Sequence, residues 1–220
     1  MTTHLKIDFV SDISCPWCAI GLSALELALE LMGDDYSADL RFQPFELNPH
    51  MPHGGQDLAE HMTSKYGYSP EQQAQIFESI CQSGAAMGFT FHTEKWKRIY
   101  NTFDAHRLLH WAGLSDTRPA GRQPALKKAL LQAYFTHGEC PESHEVLLRL
   151  AGESGLDVAR AKEILIGDEY AIEVREKERF YIDAGIHSVP SCIINNKYLI
   201  SGGQPVEVFE QALRQIASAQ

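Results

Sequence analysis

Long apolar runs are missing from this chain. No stretch approaches the ~20 apolar residues needed to cross a bilayer, and Met1-Thr2-Thr3-His4-Leu5-Lys6 shows no basic segment leading into an apolar one. No membrane association is expected, and a cytoplasmic location is. Cysteine is sparse as well. Five cysteines in 220 residues, an odd number in a chain large enough to bury its own core, do not read as a secreted disulfide framework. Positive charge is in deficit: 19 Lys and Arg face 29 Asp and Glu, for a formal net charge of -10, which disfavours binding to nucleic acid or anionic lipid. No internal repeat is visible. With 44% apolar residues, the chain is sized for one large domain or one domain carrying an insertion.

Two of the cysteines stand together and point to redox chemistry. Cys15-Pro16-Trp17-Cys18 follows Leu5-Lys6-Ile7-Asp8-Phe9-Val10, which reads as a buried strand, and precedes Ile20 to Met32, which reads as a helix. Pro16 falls at the first helical position, where its missing N–H is no loss, so Cys15 takes the N-cap with backbone donors turned toward its sulfur. The helix dipole there is worth roughly 0.3–1 kcal/mol, enough for about a tenfold change in acidity. The Pro-Trp pair adds no charge, and Asp8 and Asp12 upstream carry the wrong sign. A moderately acidic Cys15 is therefore expected. Cys18, flanked by Trp17, Ala19 and Ile20, is expected to be more buried and to act as the resolving thiol.

The same spacing also serves as half a zinc site. A four-cysteine site finds no support, because Cys81, Cys140 and Cys192 are isolated. His50 and His53 share a turn-like segment, and His106 and His110 are four apart on a predicted helix, but no Glu lies between them in the manner of a helical zinc motif. Redox chemistry is the stronger reading, and no metal is expected.

Beyond the first strand and helix, Leu40 to Leu47 alternates and predicts a second strand. A Pro/Gly/His-rich loop from Asn48 to Gly55 then opens a long helical stretch with no convincing strand until after Gly185. Helices are predicted over Asp57–Tyr66, Glu71–Met87, Phe103–Leu114, Ala125–Thr136, Glu142–Ser154, Val158–Ile166 and Tyr170–Ala184. Gly67, Gly88, Gly113, Gly138, Gly155 and Gly167 are placed near their ends, with Ser69 and Asp157 as N-caps. Ser191 to Ile200 reads as a hairpin turning at Asn195-Asn196, and Pro205 heads a last amphipathic helix.

This order, with Cys15-Pro16-Trp17-Cys18 after the first strand and Ser188-Val189-Pro190 before the hairpin, resembles the DsbA-like thiol–disulfide oxidoreductases, and among them the FrnE-like subfamily. Further matching pieces are Ser11-Asp12-Ile13-Ser14, Phe42 to Pro49, Asn101 to Leu108, Gly185-Ile186-His187 and Ser201 to Pro205. The resemblance implies an α/β, thioredoxin-like fold, discontinuous over 1–49 and 185–220, with an all-α domain over 50–184 inserted between its second and third strands. It also implies a cis Val189-Pro190 bond opposite Cys15, with Pro16, Trp17, Val189 and Pro190 contacting substrate. Ser191-Cys192 departs from relatives, which commonly carry a bulkier apolar residue at the second position. Residues two apart on a strand are about 6.6 Å apart along it, so Cys192 is expected as a core thiol.

The implied activity is dithiol–disulfide exchange on a protein or small-molecule disulfide or dithiol, with Cys15 as nucleophile and Cys18 resolving. It needs no bound cofactor, and glutathione is a candidate reductant. A pair near −180 mV in a cytosol near −250 mV would be about 99% reduced, so a cytosolic location favours reductase or isomerase work. Two alternatives stand beside it. A kappa-class-like glutathione isomerase or transferase generally carries a serine near the place of Cys15. A non-catalytic module holding a peptide or small molecule would keep its ligand after Cys15→Ser.

Overall fold

The computed structural model describes residues 2–115 and 121–219. A four-stranded sheet forms the frame. Strand β1 (Thr3–Ser11) pairs in parallel with β2 (Tyr36–Pro44) across helix α1 (Pro16–Met32), and on its other side pairs antiparallel with β5 (Ser191–Ile194), which continues to β6 (Tyr198–Ser201). Helix α9 (Val206–Ser218) closes the chain and turns Phe209, Leu213 and Ile216 into the core beside α1. The hairpin between β5 and β6 turns on Asn195 and Asn196, both at positive φ (54° and 55°), a conformation that asparagine tolerates better than most residues. This is the thioredoxin-like frame with a helical insertion.

Between β2 and β5 lie α2 (Leu58–Tyr66), α3 (Pro70–Ala86), α4 (Phe103–Ser115), α5 (Arg122–Gln132), α6 (His144–Glu153), α7 (Val158–Ile166) and α8 (Ala171–Asp183). The starts of α2, α3, α6 and α7 are capped by sequence-local side chains. Ser69 and Gln72 form a reciprocal capping box on α3, and the Asp157 carboxylate accepts from Arg160 N–H on α7. Among the described residues no helix is long and apolar enough to cross a membrane.

Several boundaries differ from the sequence reading. Strand β2 begins at Tyr36, because it pairs with β1 along its whole length, and it ends at Pro44, before Phe45-Glu46-Leu47. The insertion is not wholly helical: β3 (Gln56–Asp57) and β4 (Arg98–Ile99) make a two-residue ladder, too short to leave a periodic pattern. Helix α5 begins at Arg122 and runs on as a wider π-helical turn over Ala133–His137. Gly113 lies near the end of α4, where a Cβ would fall 2.6 Å from Nε2 of Gln123.

That Gln123 side chain ties the insertion to the sheet edge. Its Nε2 donates to Phe42 O (3.0 Å) and Leu109 O (3.0 Å), and its Oε1 accepts from Phe42 N–H (3.1 Å). The amide thus takes the place of a neighbouring strand for one residue of β2. One apolar cluster, including Phe9, Leu25 and Cys192 of the frame and Leu58, Ile80, Trp96 and Tyr134 of the insertion, runs through both. Gln123→Leu, which leaves the buried Phe42 groups unpaired, is expected to lower the unfolding free energy by about 2–4 kcal/mol, read from urea denaturation.

Candidate functional site

The site grows from the end of β1. After Ser11 the chain turns through Asp12, Ile13 and Ser14, and Cys15 takes the extended N-cap conformation (φ -96°, ψ 112°) with Pro16 opening α1. Cys18 N–H donates to Cys15 O at 3.0 Å, so the helix starts at once. Opposite, the Val189–Pro190 peptide bond is cis, and the Cys15 thiol donates to Val189 O across 3.6 Å. Glycine permits this approach. A Cβ on Gly21 would lie 2.9 Å from Pro190 Cγ and 3.1 Å from Gly203 Cα, and one on Gly203 would lie 3.1 Å from Trp17 O. Gly202 N–H donates to Pro190 O (2.8 Å), so the Ser201 to Gln204 segment holds the proline against α1.

The two thiols are placed differently. Both are free and buried, Cys15 at 3% exposure and Cys18 at 0%. Cys15 nevertheless forms part of the wall of a cleft of about 450 Å³, together with Pro16, Trp17 and Val189, whereas Cys18 and Pro190 are not in that wall. Pro190, expected at the substrate surface, instead turns its ring to Gly21. Burial, followed by the hydrogen bond to Cys15 and the charge there, holds the Cys18 proton well above the ordinary thiol range. Trp17 is 39% exposed at the cleft mouth.

Beneath this pair lies a set of ionisable groups that sequence reasoning did not assemble. Asp12 is fully buried, and its carboxylate accepts from Ser14 Oγ (2.8 Å), Ser14 N–H (3.2 Å), Leu47 N–H (2.7 Å) and Thr102 Oγ1 (2.8 Å), with His106 Nε2 3.5 Å away. Burial alone would raise its pKa, but His106 and the donors from Leu47 and Ser14 outweigh that and hold it at about 2. From the sequence Asp12 opposes a thiolate if it points at the sulfur; its carboxylate is instead engaged by Ser14, Leu47 and Thr102.

Lys127 of α5 is the second unforeseen group. It is 0% exposed, its Nζ has no hydrogen-bond partner among the described residues, and it lies 5.9 Å from the centroid of the Phe42 ring. Burial pushes its ammonium down to about 8, against the pull of Cys18, Asp12 and Cys15. A signal was present in the sequence: Lys127 shares a helical face with Gln123, Leu130, Leu131 and Tyr134, all buried, whereas Lys128 points out to Glu26.

The remaining candidates have structural surroundings. His110 packs on the Tyr170 ring, Arg107 ties α4 to the backbone of Ile164, Gly167 and Glu169, and Cys192 is a core thiol pushed up to about 12 by burial. Cys81 and Cys140 are free and half-buried. His53 meets Glu142. Among the described residues no group of three or more His, Cys, Asp or Glu is arranged to hold a metal ion.

A family model described as a DSBA-like thioredoxin domain matches residues 6–214. The chain belongs to the DsbA-like thioredoxin family. A probable DsbA oxidoreductase from Streptomyces coelicolor is 33% identical to this DsbA-like chain, with a TM-score of 0.84 over 99% of it and 91% of the other. An uncharacterized Bacillus subtilis protein, YwbO, is 27% identical over 214 residues, 97% of this chain and 96% of its own. The cytosolic disulfide reductase DsbM of Pseudomonas aeruginosa, solved with GSH, shares the fold at 17% identity and a TM-score of 0.65, over 96% of this chain and 98% of its own.

Two outcomes follow for the buried charges. Asp12 is more acidic folded than the ~3.9 of an unfolded chain, so it adds about 2–3 kcal/mol that is complete above pH ~4 and lost as pH falls through about 2. Asp12→Asn is expected to remove that acid limb and to destabilise the protein at pH 7, read from urea unfolding against pH. Lys127→Met is expected to leave stability unchanged or raise it by about 1–3 kcal/mol. The same change makes Cys18 less acidic, which slows its alkylation at a given pH in a Cys15→Ser background.

Proposed function

We propose that this DsbA-like protein is a cytosolic, FrnE-like thiol–disulfide oxidoreductase that works through Cys15 and Cys18. What supports the reading above all is that Cys15 alone of the pair opens onto the cleft, while Cys18 is fully buried behind it. In the reducing direction the Cys15 thiolate attacks one sulfur of a substrate disulfide, R–S–S–R, and releases R–S⁻. Cys18 then loses its proton, attacks the Cys15 sulfur of the mixed disulfide and expels the second thiolate. Two electrons pass to the substrate, two R–SH are formed, and Cys15–Cys18 is left as a disulfide. An external thiol or dithiol restores the pair. Pro16, Trp17 and Val189 bear on the substrate from the cleft wall, and Pro190 positions the Val189 carbonyl.

Reduction of insulin disulfides by the wild type and by single variants tests this. Cys15→Ser is expected to lower the rate at least about a thousandfold, to the uncatalysed background. Cys18→Ser is expected to accumulate a covalent Cys15 adduct, seen as added mass that a thiol reductant removes. Equal slowing of the first alkylation by the two variants would contradict the assigned order, and substrate binding undiminished without any turnover in the wild type would mark a binding module.

A further inference from the structure

Cys18 cannot displace a bound substrate while it keeps its proton, and the structure limits where that proton can go. The thiol is 0% exposed and is no part of the cleft wall, so solvent in the cleft has no access to it. Asp12, whose backbone N–H faces the Cys18 sulfur, is a poor base. Its carboxylate already accepts four hydrogen bonds and is held at about 2. His106 is turned to that same carboxylate, its Nε2 3.5 Å from Oδ1. Lys127 is differently placed. Its Nζ is fully buried and makes no hydrogen bond among the described residues, so it breaks none in approaching a sulfur. Beside it, Phe42 and Gln43 of β2 and His106, Leu109 and His110 of α4 line a space too small for a water molecule. The ionisable groups around Lys127 are thus Cys18 on α1, Asp12 and Cys15 at the active-site turn, and His106 and His110 on α4. Of the charges acting on Lys127 that of Cys18 is the largest, and Lys127 acts on Cys18 in return. Burial brings the ammonium down to about 8, so a share of amine exists near neutral pH that an ordinary lysine lacks.

The geometry points to Lys127 as the base of the resolving step: its amine takes the Cys18 proton in the mixed disulfide, and its ammonium returns the proton when the pair is reduced again. This rests on the redox reading above and adds to it the residue that ionises the resolving thiol. The S–H bond of Cys18 breaks as an N–H bond forms on Lys127. The Cys18 sulfur then bonds to Cys15 Sγ, the bond from Cys15 to the substrate breaks, and the substrate thiolate leaves with the electron pair and takes a proton from water. The transfer turns thiol and amine into thiolate and ammonium. Opposite charges in a low-dielectric setting attract strongly, which offsets part of the cost of ionising a buried thiol. Lysine suits this work, because its stem is flexible and its ammonium, unlike a guanidinium, gives up a proton once buried.

The two steps can be timed separately with the aryl disulfide dithiobis(nitrobenzoate), whose released thiolate is coloured, on reduced protein carrying Cys81→Ser and Cys140→Ser. The first equivalent leaves as Cys15 is capped, at a rate that follows the reagent concentration. The second leaves as Cys18 attacks, at a rate independent of it. Lys127→Met is expected to slow the second phase at least about tenfold relative to the first at pH ~7. With Lys127 in place the second phase is expected to rise with pH and level off above about 8, as the amine form fills. In Lys127→Met it is expected to keep climbing about tenfold per pH unit to pH ~9.5, because hydroxide must then take the proton. A role in packing alone would not move that profile. Release of two equivalents with the ratio of phases changed less than about tenfold by Lys127→Met, or a profile that does not level off with Lys127 in place, overturns the assignment and leaves the redox reading standing. If Lys127→Met does not fold, the profile of the Lys127 protein decides by itself. Release of one equivalent alone from the Lys127 protein, with no Cys15–Cys18 disulfide detected by mass, overturns the redox reading and the assignment with it.

Discussion

The buried carboxylate of Asp12 is the junction on which the site depends. It gathers donors from the active-site turn at Ser14, from the chain leaving β2 at Leu47 and from the entrance to α4 at Thr102. Each of these segments carries part of the cleft or its support, so their relative positions follow from one anion gathering three short hydrogen bonds and a longer fourth. Neighbouring residues reinforce the junction in apolar terms. Val10 packs with Phe45 and Tyr181, while Ile13, three positions on, packs among Ala105, Leu108 and Leu109 of α4. The turn that presents Cys15 is thus held from both sides before α1 begins.

The helical insertion is part of the cleft and not an appendage to the sheet. It supplies most of the cleft wall, places Lys127 under the thiols and shares a continuous core with the sheet. An ammonium without hydrogen-bond partners in that core works against folding, and its retention there is best understood through its field. Its charge pulls the Cys18 pKa in the direction opposite to burial, although burial still holds that thiol's proton well above the ordinary range.

Much of this was legible in the sequence, for local reasons. The order of the frame's strands and helices, the span Val158–Ile166, the caps at Ser69 and Asp157 and the Asn195-Asn196 turn are set by residues close to one another in the chain. The Cys15-Pro16-Trp17-Cys18 segment announces itself by spacing alone. What stayed hidden depends on distant partners. The start of β2 at Tyr36 is set by β1, Gly113 is explained only by the arrival of Gln123, and Asp12 reads as an unfavourable charge until Leu47 and Thr102 are brought to it. Lys127 shows the same limit: its helical face was readable, but not that the face lies under a thiol 109 positions earlier in the chain.

The amide of Gln123, mimicking a strand neighbour for Phe42, has a consequence for how molecules of this protein meet. With the outer backbone groups of Phe42 taken by Gln123, an incoming strand cannot pair continuously along β2, and the opposite edge, β6, is only four residues long. A partner extending the sheet would therefore gain few hydrogen bonds, and the same insertion that shapes the cleft guards the fold against polymerising edge to edge.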